Sequence, residues 1–583
     1  MKTMKRIAIL LAGAAVLTAT HASAQTGQTV TWAGGNSYKS WLGATNWTPQ
    51  VVPLNNAGTN FTVIVPDSTS LGYDSGGAGT IEALSFGIST LRVRGGNSLV
   101  VTGATVIKGL IDAQGASSAF RAKANVTVLQ NYPRLWAADG ATVGAAASTY
   151  TWDNNGGANT LVSSVGAGSL VELTNVTSFQ VGYSGGQPVY SVYARSNGVI
   201  DLRNLGQITG PANDDWLDFN LNSSGDIRLD NLKRIAARVR FNLDLPTYTL
   251  PLLDRATETY FNLAPSNTLQ LPALLSLSNG GIINAAYSRL DAPALLSVDN
   301  TPIQVGQGGS LVATNLLALD TVPLTLTSNG VFIAPKLAAY RNSLISYVPG
   351  QQLHSGNLTD IFASRLSASS GATGRVAAVT YDTPASWQWY GALFSADGGE
   401  SLLDMSAMRT MQTRYCNWSG YDYRYMVNAN NGGVIDLSGL ETLIGPEYSN
   451  RLLEFNLKNG GNIRFPNLKQ ISGYTRFNVE IPLYAMPALE SADNTLFVLS
   501  DGVRLQVPSL NRMAEGSSIQ FGFNSTFEAP SLKSFVNSSL SLAPGNTLLA
   551  PWFTNIYASR FAVTGGSTCR VAAVIYDTPA SSR

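Results

Sequence analysis

Thr247-Tyr-Thr-Leu-Pro-Leu-Leu253, Thr268-Leu-Gln-Leu-Pro-Ala-Leu274 and Arg289-Leu-Asp-Ala-Pro-Ala-Leu295 are three versions of one phrase, set 21 residues apart. The phrase reads apolar-x-apolar-Pro-x-Leu. Its final position recurs at Leu232, Leu253, Leu274, Leu295, Leu316, Leu337 and Leu358. Five residues earlier stand Ile227, Tyr248, Leu269, Leu290, Leu311, Phe332 and Leu353, and between the two columns Leu229, Leu250, Leu271, Ala292, Ala313 and Ala334. Pro251, Pro272, Pro293 and Pro335 fill the next slot. Alternation places two side chains of each phrase on one face of a strand. The proline ends that strand where no ladder N–H is required. A 21-residue period suits one coil of a parallel β-helix and is too short for a helix-turn-helix repeat. Stacked coils bring like residues within about 4.8 Å of each other, so the leucines are expected to form an inward spine.

A second column runs through Phe219-Asn-Leu221, Phe241-Asn-Leu243 and Phe261-Asn-Leu263. Its asparagines are expected to stack as an amide ladder, each bonding the next coil. The competing reading has them lining a ligand groove.

A larger repeat contains the small one. Gly198-Val-Ile-Asp-Leu202 returns as Gly433-Val-Ile-Asp-Leu437, and Arg240-Phe-Asn242 as Arg476-Phe-Asn478. Asp226-Ile-Arg-Leu-Asp-Asn-Leu232 returns as Asn462-Ile-Arg-Phe-Pro-Asn-Leu468. Later the offset shortens, with Tyr381-Asp-Thr-Pro-Ala-Ser386 matching Tyr576-Asp-Thr-Pro-Ala-Ser581. The change is close to two coils, as expected where each coil touches only its neighbours. The reading is an all-β, internally duplicated parallel β-helix (β-solenoid). It divides into a strand-rich cap and first coils over 25–127, unit one over 128–362, unit two over 363–557 and the start of a third unit over 558–583. Before about residue 185 strand-like runs alternate with turns but show no clean register.

The 583 residues carry 37 basic and 36 acidic side chains. Without a basic excess nothing marks the chain for nucleic acid. Residues 1–24 read as a signal peptide: Lys2, Lys5 and Arg6, an apolar run from Ile7 to Thr18, then Ala22-Ser-Ala24. Cleavage before Gln25 takes the formal charge from +1 to −2. No later apolar run reaches the length of a transmembrane helix. The expected location is outside the cytoplasm, secreted to the medium, the cell surface or the periplasm. Cys416 and Cys569 are read as two separate buried thiols, with pairing as the alternative.

Residues 29–53 carry Trp32-Ala-Gly-Gly35, then Trp41, Asn46-Trp47 and Pro53. This opening resembles that of many secreted repetitive β-helix proteins of bacteria, the autotransporter-passenger and surface-adhesin type. The resemblance implies a β-helix rod at a cell surface that meets glycans or other surface proteins. By itself the motif reads as tryptophans sealing the first coil.

No zinc spacing, Gly-x-Ser-x-Gly elbow or phosphate loop occurs, so no cofactor, metal ligand or catalytic residue is assigned. The architecture also resembles the pectin-lyase-like enzymes, which implies a carboxylate groove as an alternative site. Asp214, Asp215 and Asp218 are its candidates, in the manner of paired acids that hydrolyse glycosides. The plainer reading makes them solvated charges flanking strands. An aromatic cluster is the third candidate, for carbohydrate binding without chemistry. It comprises Trp387, Trp389, Tyr390, Tyr415, Trp418, Tyr421, Tyr423 and Tyr425. Exposed, such rings stack on sugars, and buried, they fill a wide coil.

Overall fold

In the computed structural model the described residues are 25–153, 160–182, 189–212, 214–222, 224–355, 358–384, 391–414, 423–565 and 568–569. They build a three-sided parallel β-solenoid in which each coil gives one short strand to each face. The first face is a sheet of 15 strands ending at Ala339–Arg341, followed by one of 7 strands from Thr380–Tyr381 to Ser534–Phe535. The second face runs unbroken from Lys39–Ser40 to Arg560–Val563, each strand pairing with the next coil's. The third is divided into sheets of 7, 6, 4 and 5 strands. The pairs are parallel except at the start, where Trp47–Thr48 lies antiparallel on Thr26–Trp32.

The spine takes its expected place. Leu232, Leu253, Leu274, Leu295, Leu316, Leu337 and Leu358 are all buried, as is the whole Leu229-to-Ala334 column. In the outer column only Leu353 is half-buried. The prolines have a specific task. The spine amide of Leu274 donates to the Leu271 carbonyl at 3.2 Å, and that of Leu295 to Ala292 at 3.1 Å. Pro272 and Pro293 are therefore the second residues of β-turns, where a fixed φ is favourable and an N–H unnecessary.

The corner between the first and second faces carries a column that leaves a weak trace in the sequence. Ala237, Glu258, Asn279, Asn300, Thr321, Asn342 and Ala363 all have positive φ, again 21 apart, and Gly473, Asn494, Glu515, Asn537 and Ala558 follow in unit two. Asparagine tolerates this left-handed conformation best among residues with a side chain.

On the second face Phe219, Phe241 and Phe261 point inward and stack, with ring centroids 5.1 and 5.7 Å apart. Phe455, Phe477 and Phe497 repeat the stack at 4.8 and 5.4 Å. The asparagines between them face outward and form the amide ladder. Asn242 Nδ2 donates to Asn220 Oδ1 at 2.7 Å and Asn262 Nδ2 to Asn242 Oδ1 at 2.8 Å. Unit two repeats it through Asn428, Asn456 and Asn478. The ladder stops at Asn262, opposite Ile283 of the next coil.

Two of the third face's divisions fall at the same place in each unit: between Asp226–Arg228 and Thr247–Thr249, and between Asn462–Arg464 and Leu483–Ala485. A buried tyrosine crosses each gap. Tyr248 Oη donates to the Ile227 carbonyl and Tyr484 Oη to that of Ile463, both at 2.6 Å. Burial pushes both phenols well above their usual range. Each hydroxyl replaces a ladder bond where the strands part.

Coils are also regular before residue 185, where the sequence shows no clean register. Leu91 pairs with Ile111, Ile111 with Leu135, Leu135 with Val162 and Val162 with Val192. These coils differ in length because extra residues enter between the first and second faces, which shifts the count without disturbing the stack. Among the described residues no helix is long and apolar enough to cross a membrane.

Candidate functional site

The longest insertions leave from that same corner, three coils in succession in each unit. In unit one they join Thr149–Trp152 to Thr160–Val165, Ser178–Val181 to Val189–Arg195, and Gln207–Thr209 to Trp216–Leu221. In unit two they join Thr380–Tyr381 to Gly391–Asp397, Thr410–Gln412 to Tyr423–Asn430, and Thr442–Ile444 to Arg451–Lys458. The carboxylate candidates Asp214 and Asp215 of unit one lie at this corner, just before Trp216–Leu221. Trp387, Trp389, Tyr390, Tyr415, Trp418 and Tyr421 lie outside the described residues, as does Cys416. Tyr423 opens a strand and pairs with Arg451. Tyr425 is 1% exposed and belongs to the core, so it offers no ring to a ligand. Tyr190, which stands at the matching position of unit one, 235 residues earlier, is likewise buried.

The carboxylates are better defined. Asp218 is 7% exposed and is not a solvated charge, which corrects the plainer reading. Its neighbour in the next coil is Arg240, whose Nε reaches Asp218 Oδ1 at 2.7 Å and whose terminal nitrogen reaches Oδ2 at 3.0 Å. Both oxygens are engaged in a two-pronged pair, the strongest geometry for this interaction. Glu454 stands in the same column of unit two, where its Oε1 accepts from Arg424 at 3.1 Å and lies 3.8 Å from Arg476. Asp214 is exposed and pairs with Arg238 at 2.7 Å, while Asp215 is half-buried. The carboxylates of Asp214 and Asp218 therefore tie the loop and adjacent coils to arginines instead of opening onto a shared space.

What does open there is an aromatic groove of about 680 Å³ lined by Asp214, Trp216, Arg238, Glu258, Tyr260 and Asn279. Trp216 and Tyr260 meet edge to face at 5.1 Å, and the Arg240 guanidinium lies 5.0 Å from the Trp216 ring. At the 236-residue offset unit two has Leu452 and Leu496 in place of the two rings, so this groove is particular to unit one. Sequence reasoning picked out the acids and missed Tyr260, which stands one coil beyond Arg240 in the same column.

The third face carries its own charge ladder. Asp201, 4% exposed, accepts from Arg203 Nε at 2.9 Å and from the Arg203 amide at 3.2 Å, with Arg228 at 3.5 Å. Burial pushes this carboxyl up, but the bonds from Arg203 and the charges of Arg203 and Arg228 outweigh it and hold it below the usual range. A depressed folded-state value contributes stability that is present above the unfolded value, about 3.9, and is lost as the pH falls through the folded one. Thermal melts should therefore show a steeper fall in Tm below about pH 4 for the wild type than for Asp201→Asn. Identical acid limbs would show that the pair adds nothing.

Among the described residues no group of three or more His, Cys, Asp or Glu is placed to hold a metal ion. His354 is exposed on the third face opposite Ile333. The fold and these walls define a duplicated parallel β-solenoid with ion-paired and amide-laddered faces. No family model, curated protein or solved structure matches the chain.

Proposed function

We propose that the chain is an exported, non-catalytic β-solenoid serving as a structural or adhesive element of a bacterial surface, in the manner of secreted repetitive β-helix proteins. The observation that carries this is the two-pronged capture of Asp218 by Arg240. A general acid or base needs a carboxyl within reach of substrate, and here both oxygens face an arginine of the wall. The Trp216–Tyr260 groove favours a second, related reading, contact with sugars without chemistry. The test is incubation of the mature protein with acidic and neutral glycans, with and without calcium. No new reducing or unsaturated ends are expected, and turnover of any glycan would overturn the proposal in favour of a polysaccharide-active enzyme.

A further inference from the structure

Two hollows on the third face occupy equivalent positions in the two units. In unit one, Glu172 ends the strand that precedes Val199–Asp201. In unit two, Asp404 ends the strand that precedes Val434–Asp436. A hydroxyl follows two residues later in each, Thr174 and Ser406. One coil back, Ala145 and Ala146 floor the first hollow and Val376 and Ala377 the second. Their volumes are about 550 and 670 Å³, within the usual range for small-ligand sites.

The arginine gives the pair its meaning, because it changes coil and keeps its partner. In unit one Arg121 stands two coils before Glu172 and reaches it at 3.8 Å across Gly144. A Cβ on that glycine would make ordinary contacts, 3.4 Å from Glu172 and 3.5 Å from Arg121. In unit two the strand two coils before Asp404 carries His354, which also lines the hollow. Arg375 stands where Gly144 would be and meets Asp404 at 3.0 Å. Both hollows thus present an arginine–carboxylate pair beside a hydroxyl, above a small aliphatic floor.

Cationic donors and a carboxylate line both hollows: Arg121, Lys123 and Glu172 in the first, and Arg375 and Asp404 in the second, where Asp404 Oδ1 also accepts from Ser406 Oγ at 2.6 Å. Such a lining fits a ligand whose groups both donate and accept, with a C–H face for the floor, better than it fits an ion. We propose that the hollows are twin sites for neutral saccharide units, so that one chain grips a glycan at two points along its length. The proposal rests on the adhesive reading above and gives it a ligand class. The sites are about ten coils apart, roughly 48 Å at the strand spacing. A polymer spanning both would gain affinity from the linkage itself.

The test is calorimetric titration of the mature chain with cello-, malto-, manno- and N-acetylchito-hexaose, with inorganic phosphate and polygalacturonate as charged probes. At least one neutral hexaose is expected to bind at two sites per chain. Glu172→Gln and Asp404→Asn should each reduce the count to one, and the double variant should lower affinity at least tenfold at both. Asn175→Trp and Ala407→Trp, which fill the hollows and spare the ion pairs, should do the same with an unchanged circular-dichroism melt. Binding of no neutral hexaose, binding of the charged probes alone, or a double variant that still binds at two sites would overturn the proposal. Those results would leave the non-catalytic reading in place, because that reading falls only to glycan turnover.

Discussion

Leu274→Asp is expected to open the rod in its middle while leaving both flanks folded. Leu274 is 1% exposed and stacks between Leu253 and Leu295. Truncating such a side chain to alanine removes about 2–5 kcal/mol. An unpaired carboxylate in that position adds several kcal/mol more, or drives the coil open to reach water. Since each coil touches only its neighbours, the damage stays local. Limited proteolysis should cut within about two coils of residue 274 and release two resistant fragments, where the wild type gives none. Leu275→Asp is the control: Leu275 is 40% exposed and should digest and melt as the wild type does. If both variants behave alike, the leucines do not form an inward spine.

Trp47→Ala is expected to unseal the first coil. Trp47 is fully buried, meets Trp32 and Trp41 at 4.9 Å each, and donates from Nε1 to the Trp41 carbonyl at 2.7 Å. Loss of a buried tryptophan costs about 3–5 kcal/mol. Trp47 also lies in the short antiparallel strand on the edge of Thr26–Trp32, so loosening it exposes a row of unpaired backbone groups. Hydrogen exchange should show protection falling for residues 26–65 and unchanged around Leu274. Light scattering should show association that grows with concentration. Unaltered exchange in 26–65 would mean that the three tryptophans do not close the rod.

The spine and the amide ladder were legible because coils between Asp226 and Ala363 have three short corners, so neighbouring strands stay 21 residues apart. In the coils that carry the insertions the paired phenylalanines and valines drift to longer intervals, as from Phe394 to Val427 and on to Phe455, because one corner accepts extra residues. The pattern is still present in space and simply loses its period in the chain. The positive-φ column was hidden for another reason. Asparagine, alanine, threonine and glutamate share that corner, and nothing in their chemistry announces a common backbone conformation. The twin hollows were hidden most thoroughly. Counting coils back from Glu172 and Asp404 sets Gly144 against Arg375 and the strand of Arg121 against the strand of His354, a mismatch in sequence that becomes a match only when the guanidinium groups are followed to Glu172 and Asp404. Asp214 and Asp218 were visible as acids, but their arginine partners stand 24 and 22 residues away, a separation that means contact only once the coil is known.

Neighbour-only stacking also sets how the protein bears load. Drawn out by its two ends, the chain would yield one coil after another, each regular coil adding 21 residues or about 70 Å of contour and each coil with a longer corner adding more. A single cooperative block would hold and then snap. A rod built this way lengthens in a series of small steps, each the length of one coil, and so spreads a pull along its axis over many separate events.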